Sequence, residues 1–174
     1  MHVNKTLLLT IGAAAMVSIT LAVIVFVVIL LRNRKINSTD LTGYAIQVED
    51  LMKSNTADKL GIDNTTDDEE TILNMKYLII EVLEPLYNVH TFNINSGFRT
   101  PELNTAVGST SKNSQHLTGE AADITTGTTD GNKQLFEYIK NNLPYDQLIN
   151  EKNYSWVHVS LKRIGYNRKQ NFNL

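Results

Sequence analysis

The 174-residue sequence predicts an α+β fold, a small antiparallel sheet with flanking helices, preceded by one N-terminal transmembrane helix. Three observations carry that prediction. Residues Leu7 to Leu31 hold no charge; residues 66–86 join a helix-capping signal to apolar residues at helical spacing; and beyond Tyr87 short alternating runs are interleaved with short helical ones.

The apolar run comes first. Its 25 residues, at ~1.5 Å each, make a helix of about 37 Å, enough to cross a bilayer with some tilt. It ends directly in Arg32, Arg34 and Lys35 rather than in a small-residue cleavage site, which predicts an uncleaved anchor with the lipid bilayer as its partner. A buried core helix would be shorter and less uniformly apolar. The chain therefore divides into an N-terminal flank at 1–6, the transmembrane helix at 7–31, a basic flank and linker at 32–47, and a folded domain at 48–174.

The formal charge of -2 hides a split between these parts. All 18 acidic residues but only 12 of the 16 Lys and Arg lie beyond residue 35, so the soluble part carries a net -6. Such a surface repels polyphosphates and excludes nucleic acid as a partner. The absence of cysteine removes disulfides, thiolate metal clusters and cysteine nucleophiles together.

Within the domain, Asp50 to Leu60 reads as a short helix stopped by Gly61. Thr66 with Glu69 reads as a capping box, after which Ile72, Met75, Ile79, Val82 and Leu86 form one core-facing stripe. Thr91 to Asn95 alternates as a strand that delivers Ser96, Gly97, Phe98 and Arg99. Thr100 and Pro101 open a short helix to Val107, and Gly108 to Ser114 is a loop. Ala121 to Thr125 reads as a strand and Asn132 to Asn142 as an amphipathic helix. Tyr145 to Glu151 and Ser155 to Leu161 read as an antiparallel pair, with Ile164 to Asn167 as a further short strand.

Chemistry concentrates in two of the four histidines. His116 stands seven residues before Asp123, and His158 alternates with Val157 and Val159, so it faces away from them. Two imidazoles and a carboxylate supply three ligands to a tetrahedral Zn²⁺ and leave the fourth position open, the layout of a catalytic site. By spacing alone, structural histidines remain an open alternative. His90 reads as a loop or helix-end residue rather than a ligand.

The residues around these positions form longer motifs. Ser114-Gln-His116-Leu-Thr-Gly119-Glu-Ala121-Ala-Asp123 fits the pattern SxHxxGxAxD, and Trp156-Val-His158-Val-Ser160 supplies a second histidine motif. With Ser54 to Asn64, Leu83-Glu-Pro85-Leu, Ser96-Gly-Phe-Arg99 and Asp146-Gln-Leu-Ile149, the stretch from about 48 to 162 resembles the small murein peptidases of the M15 family, zinc D,D-peptidases common in bacteria and phages.

The resemblance implies a site. His116, Asp123 and His158 would hold one Zn²⁺, which acidifies water and polarises the scissile carbonyl. Arg99 would bind substrate beside the metal and stabilise the developing oxyanion, an effect of about 3–4 kcal/mol for a preorganised donor; its alternative is a surface pair with Glu102 or Glu120. Ser114 either contacts substrate or caps its own loop, and Gly119 relieves the backbone between ligands. A carboxylate must also move a proton to the leaving amine. Many M15 relatives carry that acid three residues before the last histidine, where this chain has Ser155. Glu151 is the expected catalytic replacement, brought back by the hairpin, with Asp146 in reserve; strand alternation allows only one of the two to face the metal. Trp156 lines the substrate groove or packs beneath the hairpin. Lys162, Arg163, Arg168 and Lys169 read as a solvated surface or as an attraction for anionic wall polymer.

The resulting expectation is a membrane-anchored zinc metallopeptidase cutting amide bonds in peptidoglycan stem peptides, as an endopeptidase or a D-Ala-D-Ala carboxypeptidase. The rival is an inactive wall-binding module that keeps the fold but, with Ser155 in place of the acid, has lost turnover. Three basic residues after the anchor against Lys5 and the amino terminus before it favour a cytoplasmic domain by one charge. The substrate outweighs that margin and places the domain on the wall-facing, extracytoplasmic side. The alternative setting is the membrane of a lipid-containing phage particle, with a role in entry or lysis.

Overall fold

The computed structural model describes residues 23–28 and 41–174. Of the expected transmembrane helix, only residues 23–28 are described, and they are helical; the remainder of Leu7 to Leu31 lies outside the described residues. Among the described residues no helix is long and apolar enough to cross a membrane.

The folded unit spans Leu41–Leu174 and begins earlier than the expected boundary at 48. Leu41 and Ile46 are buried, and the backbone amides of Ala45 and Ile46 donate to the Glu84 carboxylate. The segment 41–47, expected as linker, is thus part of the fold.

Two short helices, α1 (Val48–Met52) and α2 (Asn55–Leu60), replace the single expected one. The break falls at Lys53, where Ser54 starts a new helix by accepting from the Ala57 amide; Gly61 ends it in the left-handed conformation at φ 68°. The long helix starts at α3 (Glu69–Leu78) with Asp68, not Thr66, as its N-cap: the Asp68 carboxylate accepts from the amide and the hydroxyl of Thr71. It continues through a π-helical turn at Ile79–Leu83 into α4 (Glu84–Tyr87). Pro85 cannot donate to the preceding turn and its ring presses on it, and the widened turn directly ahead relieves that clash.

The sheet has the order β1-β2-β4-β3-β5, formed by β1 (Asn93–Ser96), β2 (Ala121–Thr125), β3 (Gln147–Glu151), β4 (Trp156–Ser160) and β5 (Gln170–Asn173). It is mixed rather than antiparallel, because β5 runs parallel to β3. The last strand therefore lies beyond the Ile164–Asn167 position expected for it. Helix α5 (Pro101–Ala106) is capped by Thr100 as expected, and α6 (Thr129–Asn142) starts three residues earlier than the expected Asn132. One sheet face, with Ala122, Ile124, Leu148, Val157 and Val159, is buried together with Leu135, Phe136 and Ile139 of α6. Alternation sends Asp123, Ile149, Glu151, Trp156 and His158 to the other face, where the candidate site lies.

Candidate metal centre

Asp123 of β2 and His158 of β4 are direct cross-strand partners, so their side chains rise from the same face of the sheet. His116 reaches them from the loop between α5 and β2. His116 Nε2 lies 3.3 Å from His158 Nδ1 and 3.4 Å from Asp123 Oδ1, and His158 Nδ1 lies 2.9 Å from that same oxygen. Ligands ~2.0–2.1 Å from a tetrahedral metal stand roughly 3.3–3.4 Å apart. The triangle thus has close to the dimensions of one face of such a coordination sphere, and the three residues could hold a metal ion.

The protonation pattern fits as well. His116 Nδ1 lies 2.6 Å from the Gly97 carbonyl, which only accepts, so Nδ1 carries the hydrogen and Nε2 keeps its lone pair toward the other two ligands. Burial holds the His116 imidazole below its usual pKa against the opposing pull of Asp123, so it is neutral near pH 7. Burial pushes the Asp123 carboxyl up, but at the acidic pH where it would take up a proton the imidazoles of His116 and His158 are themselves protonated, and their charge and hydrogen bonds hold the group well below the usual carboxylate range. A neutral imidazole beside an ionised carboxylate is the donor set a divalent ion requires.

Arg99 arrives by way of β1. The β1–β2 register shifts between Ile94 and Ser96, which sets Ser96 opposite Asp123. Arg99 Nε donates to Ser96 Oγ (2.8 Å), and Nη2 donates to Asp123 Oδ2 (2.7 Å) and lies 3.3 Å from His116 Nε2. Its alternative, a surface pair with Glu102 or Glu120, is not what the structure shows. Gly119, at φ 70°, has no room for a side chain: a Cβ would meet Met75 Cγ and the Thr71 carbonyl oxygen, each at 2.8 Å.

A cavity of about 980 Å³ opens over these groups, and Ser114, Trp156 and Glu151 all line it. The Ser114 carbonyl accepts from the Leu117 amide, closing the turn that carries His116. Trp156 lies beneath the Lys152 ammonium, 5.2 Å from its ring centre. Glu151 sits opposite Trp156, two residues beyond Ile149, which is itself the partner of His158. Ser155 is spent on the hairpin, its hydroxyl donating to the Lys152 carbonyl (2.8 Å).

Asp146 is placed elsewhere. It is fully buried outside the cavity lining and pairs with Arg168, whose backbone amide also donates to it (2.8 Å). That pairing fastens the segment leading into β5, and Arg168 Nη2 reaches on to Gln115, the neighbour of His116 (3.3 Å). The reserve general base is therefore a structural anchor. His90 packs edge-on against Tyr138, away from the candidate ligands.

Sequence reasoning missed the Gly97 carbonyl as the group that orients His116, although the Ser96-Gly97-Phe98-Arg99 motif contained it. A Cβ on Gly97 would come within 2.4 Å of the Leu51 carbonyl oxygen, so the close approach that aims this carbonyl needs glycine.

No curated protein matches the chain. A family model described as Peptidase M15 matches residues 44–160, a stretch that covers more than half of the chain and contains His116, Asp123, His158, Arg99 and Glu151. With its His-Asp-His group assembled in the lining of a cavity, the chain belongs to the peptidase M15 family.

Proposed function

We propose that the protein is a zinc-dependent peptidase that hydrolyses amide bonds in peptidoglycan stem peptides, anchored by residues 7–31 with its folded domain on the wall-facing side. The observation that carries the reading is the triangle of His116, Asp123 and His158 in the lining of a cavity large enough for several peptide residues. Zinc bound there supplies Lewis acidity toward the scissile carbonyl and acidifies water.

The chain's own residues do the rest. The Gly97 carbonyl keeps His116 in the tautomer that presents Nε2. Arg99, held by Ser96 and Asp123, brings a fixed positive charge to the place where negative charge grows on the amide oxygen. Glu151, on the cavity side of β3, accepts a proton from water and returns it to the leaving amine. Ser114 and Trp156 line the substrate path.

The test uses the full chain in detergent, loaded with zinc and given purified murein. New amino groups and soluble peptides should appear, vanish with a chelator and return with zinc. Glu151→Gln should bind the same amount of metal yet turn over about 10²–10⁴-fold more slowly. Murein binding without new amines would instead identify a wall-binding module. In intact spheroplasts an externally added protease should digest the domain; protection would put it inside, and recovery in a phage particle would move the anchor to that membrane.

A further inference from the structure

The folded unit is acidic, yet its cavity is not. From Leu41 onward the chain has twelve Lys and Arg against seventeen acids. Five of those cations line the cavity, Arg99, Lys112, Lys152, Lys162 and Arg168, against three carboxylates, Glu120, Asp123 and Glu151. The cavity lining is thus net +2 in a unit that is -7 everywhere else, a segregation that draws an anionic ligand to the one place where chemistry is poised.

The cations are not equally available. Arg99 is paired with Asp123 and Arg168 with Asp146. The Lys152 ammonium lies over the Trp156 ring, and Lys112 stands exposed on the loop after α5. Lys162 differs. It is half-buried and has no carboxylate within ion-pair distance among the described residues. Asn167 clamps its backbone from both sides, accepting from the Lys162 amide (2.9 Å) and donating to its carbonyl (3.1 Å). Glu120 and Asp146 attract Lys162 from beyond ion-pair distance, while their own direct contacts are with Thr118, which donates to Glu120, and with Arg168, which pairs with Asp146. A cation whose backbone is held in the cavity wall and whose ammonium makes no direct ion pair is placed to take a carboxylate that arrives with the ligand.

Position gives the spacing. Lys162 follows β4 four residues beyond His158, so at ~3.3 Å per residue it stands about 13 Å along the strand line from the ligand triangle, and its own side chain shortens the gap. That matches two to four residues of extended peptide. Glu151 and Trp156 lie on the opposite side of His158 along the same strands, so the cavity extends both ways from the candidate metal centre.

We propose that Lys162 is a specificity-determining residue that binds a free carboxylate of the peptide substrate, two to four residues from the scissile bond. The inference rests on the peptidase reading and names the substrate feature that this site selects.

The test titrates three synthetic stem pentapeptides into the full chain in detergent by calorimetry: one with free internal and C-terminal carboxylates, one with the internal carboxylate amidated, and one with the C-terminus amidated. One amidation should weaken binding to the wild type about tenfold and thereby identify the carboxylate. Lys162→Met should bind all three peptides within twofold of one another, while Lys162→Arg keeps the discrimination and both variants keep the metal stoichiometry. Equal affinity of the wild type for all three peptides, no binding of any, or an equal loss for all three in Lys162→Met overturns the proposal. If Lys162→Met does not fold, Lys162→Gln decides by the same criterion. Failure of the zinc-loaded chain to cleave any of the peptides would instead count against the peptidase reading, since carboxylate discrimination is read from binding alone.

Discussion

His116 shows how much a single side chain depends on what stands behind it. Its Nε2 faces Asp123 and His158 with a free lone pair because Nδ1–H is committed to the Gly97 carbonyl, and that carbonyl can approach because Gly97 has no Cβ to strike Leu51. Gly97→Ala must move backbone against backbone, since the Leu51 carbonyl oxygen and Cα would lie 2.4 and 2.7 Å from the new carbon. We expect zinc affinity to fall about 10–100-fold, the usual cost of losing an orienting partner, while all three ligands remain. Competition with a chromophoric chelator measures it; unchanged affinity would show that His116 is aimed by something else. Glu151 and Asp146 make the complementary point. They are similar in charge and five residues apart, yet Glu151 at the end of β3 faces the cavity and Asp146, just before β3 begins, is buried against Arg168.

The β3–β4 hairpin turn is the least expected element. Lys152, Asn153 and Tyr154 all take positive φ, at 45°, 55° and 61°, a conformation that costs non-glycine residues roughly 1 kcal/mol or more each. The surroundings hold it there. Asn132 of α6 donates to the carbonyls of Tyr154 and Ser155 (2.9 and 3.0 Å), the Asn150 side chain accepts from the Tyr154 amide, and the Tyr154 ring meets Phe136 edge-on. The turn sets Glu151 at the end of β3 and Lys152 over Trp156, so its strain serves the site. Asn132→Ala leaves two carbonyls without this donor and should lower stability by about 1–3 kcal/mol. If the proposed function holds, it should also reduce peptidase turnover more than metal content, because Glu151 shifts while the triangle of His116, Asp123 and His158 stays. Denaturant titration and metal analysis separate the two effects; equal losses of metal and turnover would remove the turn from the mechanism.

For the folded unit as a whole, the buried titratable groups set an acid limit. The folded-state pKa of His116 is lowered, so as pH falls through about 6.5 the unfolded chain takes up a proton that the folded chain refuses, and stability declines. Asp123 and Asp146, both also lowered, add a second decline as pH falls below their ordinary value of 3.8. The metal-free full chain in detergent should therefore be most stable near neutral pH and lose up to about 1.4 kcal/mol per pH unit for the imidazole on acidification. Thermal melts at pH 7.5 and 5.0 test the sign. An unchanged midpoint would mean that His116 titrates alike in the folded and unfolded chain.

Composition and periodicity alone determined the α+β class and most helix and strand positions, and the resemblance carried by the linked motifs singled out His116, Asp123 and His158, which the fold brings together. These are local properties: a cap, a stripe or a motif is written within a few adjacent residues. Only the tertiary structure decided that β5 joins β3 in parallel, that Asp146 serves Arg168 rather than the cavity, that Asp68 and not Thr66 caps α3, and that residues 41–47 belong to the fold. The first two and the last depend on residues far apart in the chain. Asp68 and Thr66 compete as caps within three residues of each other, and only the adopted backbone angles choose between them. An isolated strand pattern does not reveal its neighbour, and a carboxylate carries no local mark of the cation that it will meet after folding.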